Sequence, residues 1–205
     1  MIDTLFVDVD GVLQFSRPQF TVEMERDYQW ADGYLAFQRE LLHDPGEARA
    51  LLGLGDLVDV VRRLLPRHVA GLSAEAFLDR WVADNIVVNE ALLGLLPGLS
   101  VAQVFLATNQ EARRGARIRQ LYEGRPGVSG LLISHELGVG KPDRAFFEKA
   151  LEHADRRAHE CLFIDDKPEY VDGAEHVGIA TIHYRDNAQL EVELEQRGLW
   201  SPPSG

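Results

Sequence analysis

Four clusters of side chains stand where chemistry can be done. Asp8 and Asp10 follow the apolar run Leu5-Phe6-Val7 and are one residue apart. In an extended chain, residues i and i+2 point to the same side, so two carboxylates emerge together at a strand's end. Gly11, next in the chain, permits a sharp turn there. A second carboxylate pair, Asp165-Asp166, closes the run Leu162-Phe163-Ile164. Thr108-Asn109 closes Val104-Phe105-Leu106-Ala107 with a hydroxyl and an amide. Lys141, in Gly138-Val139-Gly140-Lys141-Pro142-Asp143, sets an ammonium at the start of a predicted helix.

If these groups converge, Asp8, Asp10, Asp165 and Asp166 bring four negative charges against the single positive charge of Lys141, a balance of −3. Carboxylates that close do not all ionise without compensation. A divalent cation with oxygen ligands supplies it, and Mg²⁺ suits one or two carboxylates plus a substrate phosphate. Each fragment alone is weak. A lone Asp-x-Asp after a strand is often a solvated turn. The Gly-x-Gly-Lys segment departs from the P-loop pattern at His135 and Pro142. The order and strand-end placement of all four together carry the reading.

The elements that must position these groups follow from hydrophobic patterning. Thr4–Val9, Val101–Ala107, Cys161–Ile164 and Ile179–His183 read as buried parallel strands, with Leu131–Ser134 a weaker fifth. Helical stretches follow at Glu111–Tyr122, Pro142–His153, Glu169–Val177 and Ala188–Arg197. Continuous apolar strands alternating with helices predict an α/β fold with a doubly wound parallel sheet. Ligands of such sheets bind at the strands' carboxyl ends, where all four clusters fall. Residues 17–90 break the rhythm. They lack a clear strand and carry helical periodicity at Ala31–His43, Ala48–Leu65 and Ser73–Ala83. The expected organisation is a core of residues 1–16 and 91–205 with an inserted helical cap at 17–90. The tail from Ser201 to Gly205 reads as frayed.

Composition narrows the function classes. The chain has 205 residues, 45% hydrophobic and 26% charged, and a formal net charge of −12. Such a field repels nucleic acid and anionic membranes, so neither is an expected partner. The single cysteine, Cys161, excludes an internal disulfide and reads as a small buried hydrophobe. The start Met1-Ile2-Asp3-Thr4 has no basic leader pattern. The apolar stretch Leu92–Ala107 is broken by Pro97-Gly98 and falls short of the ~20 residues that span a bilayer. A cytoplasmic location is expected. Oligomeric state is not legible.

The motif series Asp8-Val9-Asp10-Gly11-Val12-Leu13, Thr108, Lys141-Pro142 and Asp165-Asp166 resembles the four motifs of the haloacid dehalogenase superfamily, in its phosphatase branch. The insert after the first motif is similar to that family's small helical (C1) cap. The stretches Leu137–Asp143 and Phe163–Gly178 resemble sugar-phosphate and nucleotide phosphatases of the branch. The resemblance implies a Mg²⁺-dependent phosphatase of a small phosphorylated metabolite, working through an aspartyl-phosphate. It implies Asp8 as nucleophile and Asp10 as general acid and base. Thr108 and Asn109 would bind phosphate, and Lys141 would neutralise the transferring group. The metal would sit on Asp8, the Asp10 main-chain carbonyl and Asp166, with Asp165 beside it. One departure is Tyr170, where members often carry Asp or Asn; Glu169 and Asp172 are candidate substitutes. Arg17, Tyr28, Trp30, Arg39 and Trp81 are candidate pocket residues of the insert.

Two alternatives stay open at this point. A phosphomutase of the same family would share all four motifs. An aspartate-phosphorylated receiver module uses similar groups, but it is about half this length and has no helical insert.

Overall fold

A computed structural model describes residues 1–201, and the tail expected to fray from Ser201 lies, past Ser201 itself, outside the described part. Strand β1 (Thr4–Val7) leads to a two-residue strand, β2 (Gln14–Phe15). Five helices follow: α1 (Pro18–Asp27), α2 (Tyr34–Leu42), α3 (Pro45–Leu51), α4 (Leu57–Leu64) and α5 (Ala74–Asp84). The chain returns through β3 (Val87–Val88) and α6 (Glu90–Leu95). Strands and helices then alternate: β4 (Gln103–Thr108), α7 (Ala112–Tyr122), β5 (Gly130–Ile133), α8 (Ser134–Leu137), α9 (Arg144–Ala154), β6 (Cys161–Asp165), α10 (Pro168–Glu175), β7 (Ala180–His183) and α11 (Asn187–Gln196).

The main sheet is parallel in the order β5-β4-β1-β6-β7, the α/β arrangement the alternation predicted. β1 lies in the middle and changes direction of winding on either side of it, the switch point at which α/β sheets bind ligands. Period-two alternation buries both faces. Leu5, Val7, Val104, Leu106, Leu162 and Ile164 pack one side, under α6, α7 and α11. Phe6, Phe105, Ala107, Cys161 and Phe163 pack the other, under α9 and α10. Cys161 is fully buried, and burial pushes its thiol up to about 12, well away from reactive thiolate.

Helices α1–α5 build their own apolar cluster around Phe20, Tyr34, Phe37, Val61, Phe77 and Leu78. They join the sheet through an antiparallel ribbon in which Gln14 faces Val88 and Phe15 faces Val87. Three readings of this stretch need correction. Ala48–Leu65 is not one helix: it divides into α3 and α4 because Gly53 takes a positive φ of 70° and Asp56 caps α4 through the Val58 N–H. Helix α1 was not expected, although Pro18 at its first turn and the Phe20–Met24 spacing are helix signals. The ribbon strands are two residues each, too short for patterning to reveal. Among the described residues, no helix is long and apolar enough to cross a membrane.

Candidate active site

The turn after β1 sets the first two carboxylates. The Asp8 N–H donates to Ile164 O at 2.9 Å, which keeps the chain in register with β6 one residue past the strand. The Val9 carbonyl then accepts from the Leu13 and Gln14 N–H groups at 2.9 and 2.8 Å, closing the turn. Gly11 sits in it with φ of 94°, a conformation that favours glycine.

Lys141 is the hub. Its side chain is fully buried, and Nζ donates to Asp8 Oδ1 at 2.8 Å, Asp165 Oδ2 at 2.6 Å and Ala107 O at 2.8 Å. Burial works against the ammonium, but the charges of Asp8 and Asp165 outweigh it and raise its pKa. Burial also pushes the Asp8 carboxyl above its usual range, against the pull of Lys141. Phe163 and Tyr170 close the sides, with Nζ 5.4 and 5.0 Å from their ring centres.

The backbone of Lys141 is clamped by Asn109. Asn109 Nδ2 donates to Lys141 O at 2.7 Å, and Asn109 Oδ1 accepts from Lys141 N at 2.8 Å. Asn109 Nδ2 also donates to the Tyr170 hydroxyl at 3.3 Å. The side-chain amide is therefore engaged within the protein, while Asn109 itself lines the cleft where phosphate binding is expected of it. Thr108, 1% exposed, accepts from Gln110 Nε2 at 3.3 Å and keeps its own hydroxyl proton for another acceptor.

The second carboxylate pair divides its work. Asp165 uses both oxygens, one on Lys141 and the other on the Lys167 N–H at 2.9 Å. Asp166 Oδ1 is buried with no hydrogen-bond partner, and burial, aided by the Asp165 charge, raises its pKa. A Cβ on Gly11 would lie 2.4 Å from Asp166 Oδ2, so only glycine leaves that carboxylate room. Ligand oxygens from Asp8, Asp165 and Asp166 all lie within 4.8 Å of one another. An orphaned carboxylate oxygen in an acidic cradle with oxygen donors alone fits a hard divalent cation.

Asp10 has partners that sequence reasoning missed. Oδ1 accepts from Gln14 Nε2 at 2.7 Å and Arg114 Nη2 at 2.8 Å, and Oδ2 accepts from Gln110 Nε2. Arg114 Nε also donates to Gln110 Oε1 at 3.1 Å. Arg114 is 7% exposed and lies under the Trp81 ring of α5, 4.9 Å from its centre. Its cation offsets Asp10, so the uncompensated charge among Asp8, Asp165, Asp166 and Lys141 is −2 rather than −3. A signal existed: Arg114 occupies the first position of the buried stripe Arg114–Ile118–Tyr122 on α7.

These groups floor a cleft of about 450 Å³ between sheet edge and insert. Tyr170 and Lys167 line it; Glu169 and Asp172 do not. Of the insert's five candidate residues, Trp81 alone lines it. Arg17 pairs with Glu23, Tyr28 and Trp30 pack on the insert's apolar cluster, and Arg39 is exposed. The insert meets the core at three further points. Ser134 Oγ donates to Leu51 O at 2.6 Å, Asp79 pairs with Arg113 at 3.2 Å, and Gly53 packs on the His135 carbonyl. Glu47 on α3 lines the cleft, and burial, then Glu111 and Asp44, push it up to about 7.

A sequence profile of the haloacid dehalogenase-like hydrolases matches residues 2–178. Over 106 residues the chain is 35% identical to the sesquiterpene phosphatase astK of Aspergillus oryzae, a match covering 52% of this chain and 54% of that protein. Over 88 residues it is 31% identical to the bifunctional epoxide hydrolase 2 of Sus scrofa, covering 43% of this chain and 16% of that one. The chain thus spans about half the length of the first curated relative and a small part of the second. Among solved structures, the HAD family enzyme bt-2542 of Bacteroides thetaiotaomicron, in complex with magnesium and inorganic phosphate, has a TM-score of 0.75 at 20% identity. That match covers 93% of this chain and 99% of the other. The L-2-haloacid dehalogenase of Xanthobacter autotrophicus gives 0.65 at 18%, covering 98% and 85%. At these identities the likeness is one of fold.

Proposed function

The chain belongs to the haloacid dehalogenase-like hydrolases, and we propose that within that family it is a Mg²⁺-dependent phosphatase of small phosphomonoesters. The observation that carries the reading is the pairing of Asp8 with the buried Lys141 ammonium beside the unpartnered oxygen of Asp166. The phosphatase name of one relative and the magnesium and phosphate of one structural neighbour support it.

The roles follow from the contacts. Asp8 attacks phosphorus, a P–O bond to its carboxylate forms, and the bond to the leaving alkoxide breaks. Asp10, placed in the cleft by Gln14, Gln110 and Arg114, has to take up a proton as substrate binds, and gives that proton to the alkoxide. It then takes a proton from the water that attacks phosphorus and releases Asp8 with inorganic phosphate. Thr108 donates its hydroxyl to a phosphoryl oxygen. Lys141 fixes Asp8 and answers charge on the transferring group, while Asn109 fixes Lys141. Asp8, Asp166 and the Asp10 main chain would hold Mg²⁺, which when bound supplies positive charge beside the phosphoryl oxygens. Asp165 orients Lys141 rather than the metal. Residues 17–90 act as the cap that shuts the cleft against water and bulky substrates.

The test is phosphate release from a panel of phosphorylated metabolites and p-nitrophenyl phosphate by purified protein. Activity lost to a chelator and restored by Mg²⁺ is expected. Full activity in excess chelator overturns the metal assignment, and no release from any ester overturns the phosphatase reading.

A further inference from the structure

Building on the phosphatase reading, we infer that the organic group of the substrate is apolar: a hydrocarbon chain or ring carried on a single phosphate. The cleft has two unlike ends. All its cations, Arg114 and Lys167, come from the core, and Arg114 is engaged by Asp10 and Gln110 under Trp81. The insert contributes no lysine or arginine to the lining. Its one ionisable group there is Glu47, an acid. At the insert end a second phosphate or a carboxylate on the substrate would find no cation and the Glu47 carboxyl group instead, since Lys167 stands at the core end over the Tyr170 ring.

The insert end of the cleft and the ribbon beside it are largely apolar. Leu42, Leu51, Leu57 and Trp81, with Phe15 of the ribbon, line them. Phe15 and Leu42 stand 42% and 50% exposed, so part of their surface is in water until something covers it. Polar groups are few: Gln38, Ser16 and Asn85, and Asn85 Oδ1 already accepts from the Arg17 N–H. A polyhydroxylated sugar transferred there would lose more hydrogen bonds to water than these groups return. A hydrocarbon group loses none and covers the exposed rings and methyls. The volume, about 450 Å³, is in the range that encloses small organic ligands. Hydrolysis then releases an apolar alcohol and inorganic phosphate.

The experiment measures kcat/KM with Mg²⁺ for ethyl, butyl, hexyl and octyl phosphate, glucose 6-phosphate, a sugar bisphosphate and p-nitrophenyl phosphate. Because a chain laid on the half-exposed Phe15 and Leu42 is covered on one side only, each added methylene should raise kcat/KM about two-fold, below the roughly four-fold of full burial. Octyl phosphate should exceed ethyl phosphate about 60-fold at that increment, and both sugar esters should fall below hexyl phosphate. In Leu42→Glu the octyl-to-ethyl ratio should drop at least about five-fold, and because both esters are read on one preparation the ratio is independent of the folded fraction. A flat alkyl series, glucose 6-phosphate ahead of octyl phosphate, or a ratio unmoved by Leu42→Glu overturns the apolar assignment while leaving the phosphatase reading intact. Hydrolysis of no ester, p-nitrophenyl phosphate included, overturns both.

Discussion

Across the cleft, the sheet edge holds its groups by directed hydrogen bonds, whereas the insert holds its wall by contact between rings. At the edge, Lys141 alone has three oxygen partners, and Asp10 has three donors. In the insert, Phe37 packs 5.1 Å from Phe77 and 5.6 Å from Trp30, centre to centre, and Phe77 stacks on Trp81. The difference follows from what each side must do. A reacting oxygen has to be placed within a fraction of an ångström, and only directional bonds on rigid strand ends achieve that. A pocket wall needs shape and apolarity, which packed side chains supply and which tolerate exchange among hydrophobes. Core substitutions should therefore alter chemistry for every substrate, and cap substitutions should alter which substrate is taken.

The sharpest separation is expected at the two aspartates of the first motif. With Asp8 as the proposed nucleophile, Asp8→Asn should bring turnover to background. Asp10→Asn removes proton transfer, a factor of roughly 10²–10⁴. With an aryl phosphate, whose leaving group needs little acid help, the Asp10 variant should accumulate phosphoenzyme. Intact-protein mass after a rapid quench reads the added phosphoryl group. Wild-type rates in both variants would move the nucleophile elsewhere.

Next in size is a break confined to the cap. Phe37 is fully buried, and Phe37→Ala should cost about 3–5 kcal/mol. Because its cluster is separate from those on the sheet, amide exchange should quicken over α1–α5 while β1, β4 and β6 keep their protection. Uniform loss of protection would mean that the two regions fold as one unit.

A smaller effect belongs to the core alone. Gly11→Ala drives a Cβ onto Asp166 and forces a positive φ on alanine. Mg²⁺ affinity, measured by calorimetry, should weaken on the order of 10–100-fold. An unchanged affinity would remove Asp166 from the metal site.

The smallest expected effect tests the seam between the regions. Glu47 has its folded pKa raised to about 7 from 4.5 by burial, then by Glu111 and Asp44. The native state therefore holds the proton more tightly than the unfolded chain. The stability linked to it is full below pH 4.5 and is lost as pH rises through about 7. Glu47 is only partly buried, so solvent screening reduces the loss to on the order of 1 kcal/mol. Glu47→Gln should flatten that part of the stability–pH curve, followed by denaturant midpoint from pH 4 to 8. A curve identical to wild type would mean Glu47 titrates as if in water.

Legibility in the sequence divides along the same line. Asp8, Asp165 and Asp166 are legible because each ends or adjoins a strand whose continuous apolar run marks it as buried, and strand ends share one edge; Lys141 is legible only from the Gly140-Lys141-Pro142 stretch ahead of a helix. Gln14 and Gln110 are not legible, and the stripe Arg114–Ile118–Tyr122 marks Arg114 as buried without saying what it holds, since Asp10 lies 104 residues away and no local pattern encodes the meeting. The phosphate role of Asn109 comes from the resemblance alone; its clamp on the Lys141 backbone, from a loop 32 residues on, has no local signal. In the insert, periodicity located α2 and α5 but ran α3 and α4 together, because apolar residues continue across the Gly53 turn. Its large aromatics were ambiguous between core and pocket, and only Trp81 faces the cleft.

The ribbon of β2 and β3 has a bearing on ancestry. Phe15 and Val87 are directly paired, so the chain leaves the core and re-enters it at neighbouring points about 5 Å apart. Seen from the sheet, more than seventy residues occupy the position of a hairpin turn, and a two-residue turn would close the same gap. A segment whose covalent attachment is so narrow can be lengthened, shortened or exchanged without shifting β1, provided its side-chain contacts with Arg113, Arg114 and Ser134 are replaced or dispensable. Descendants of one scaffold can thus diverge in diet while inheriting an unaltered reaction.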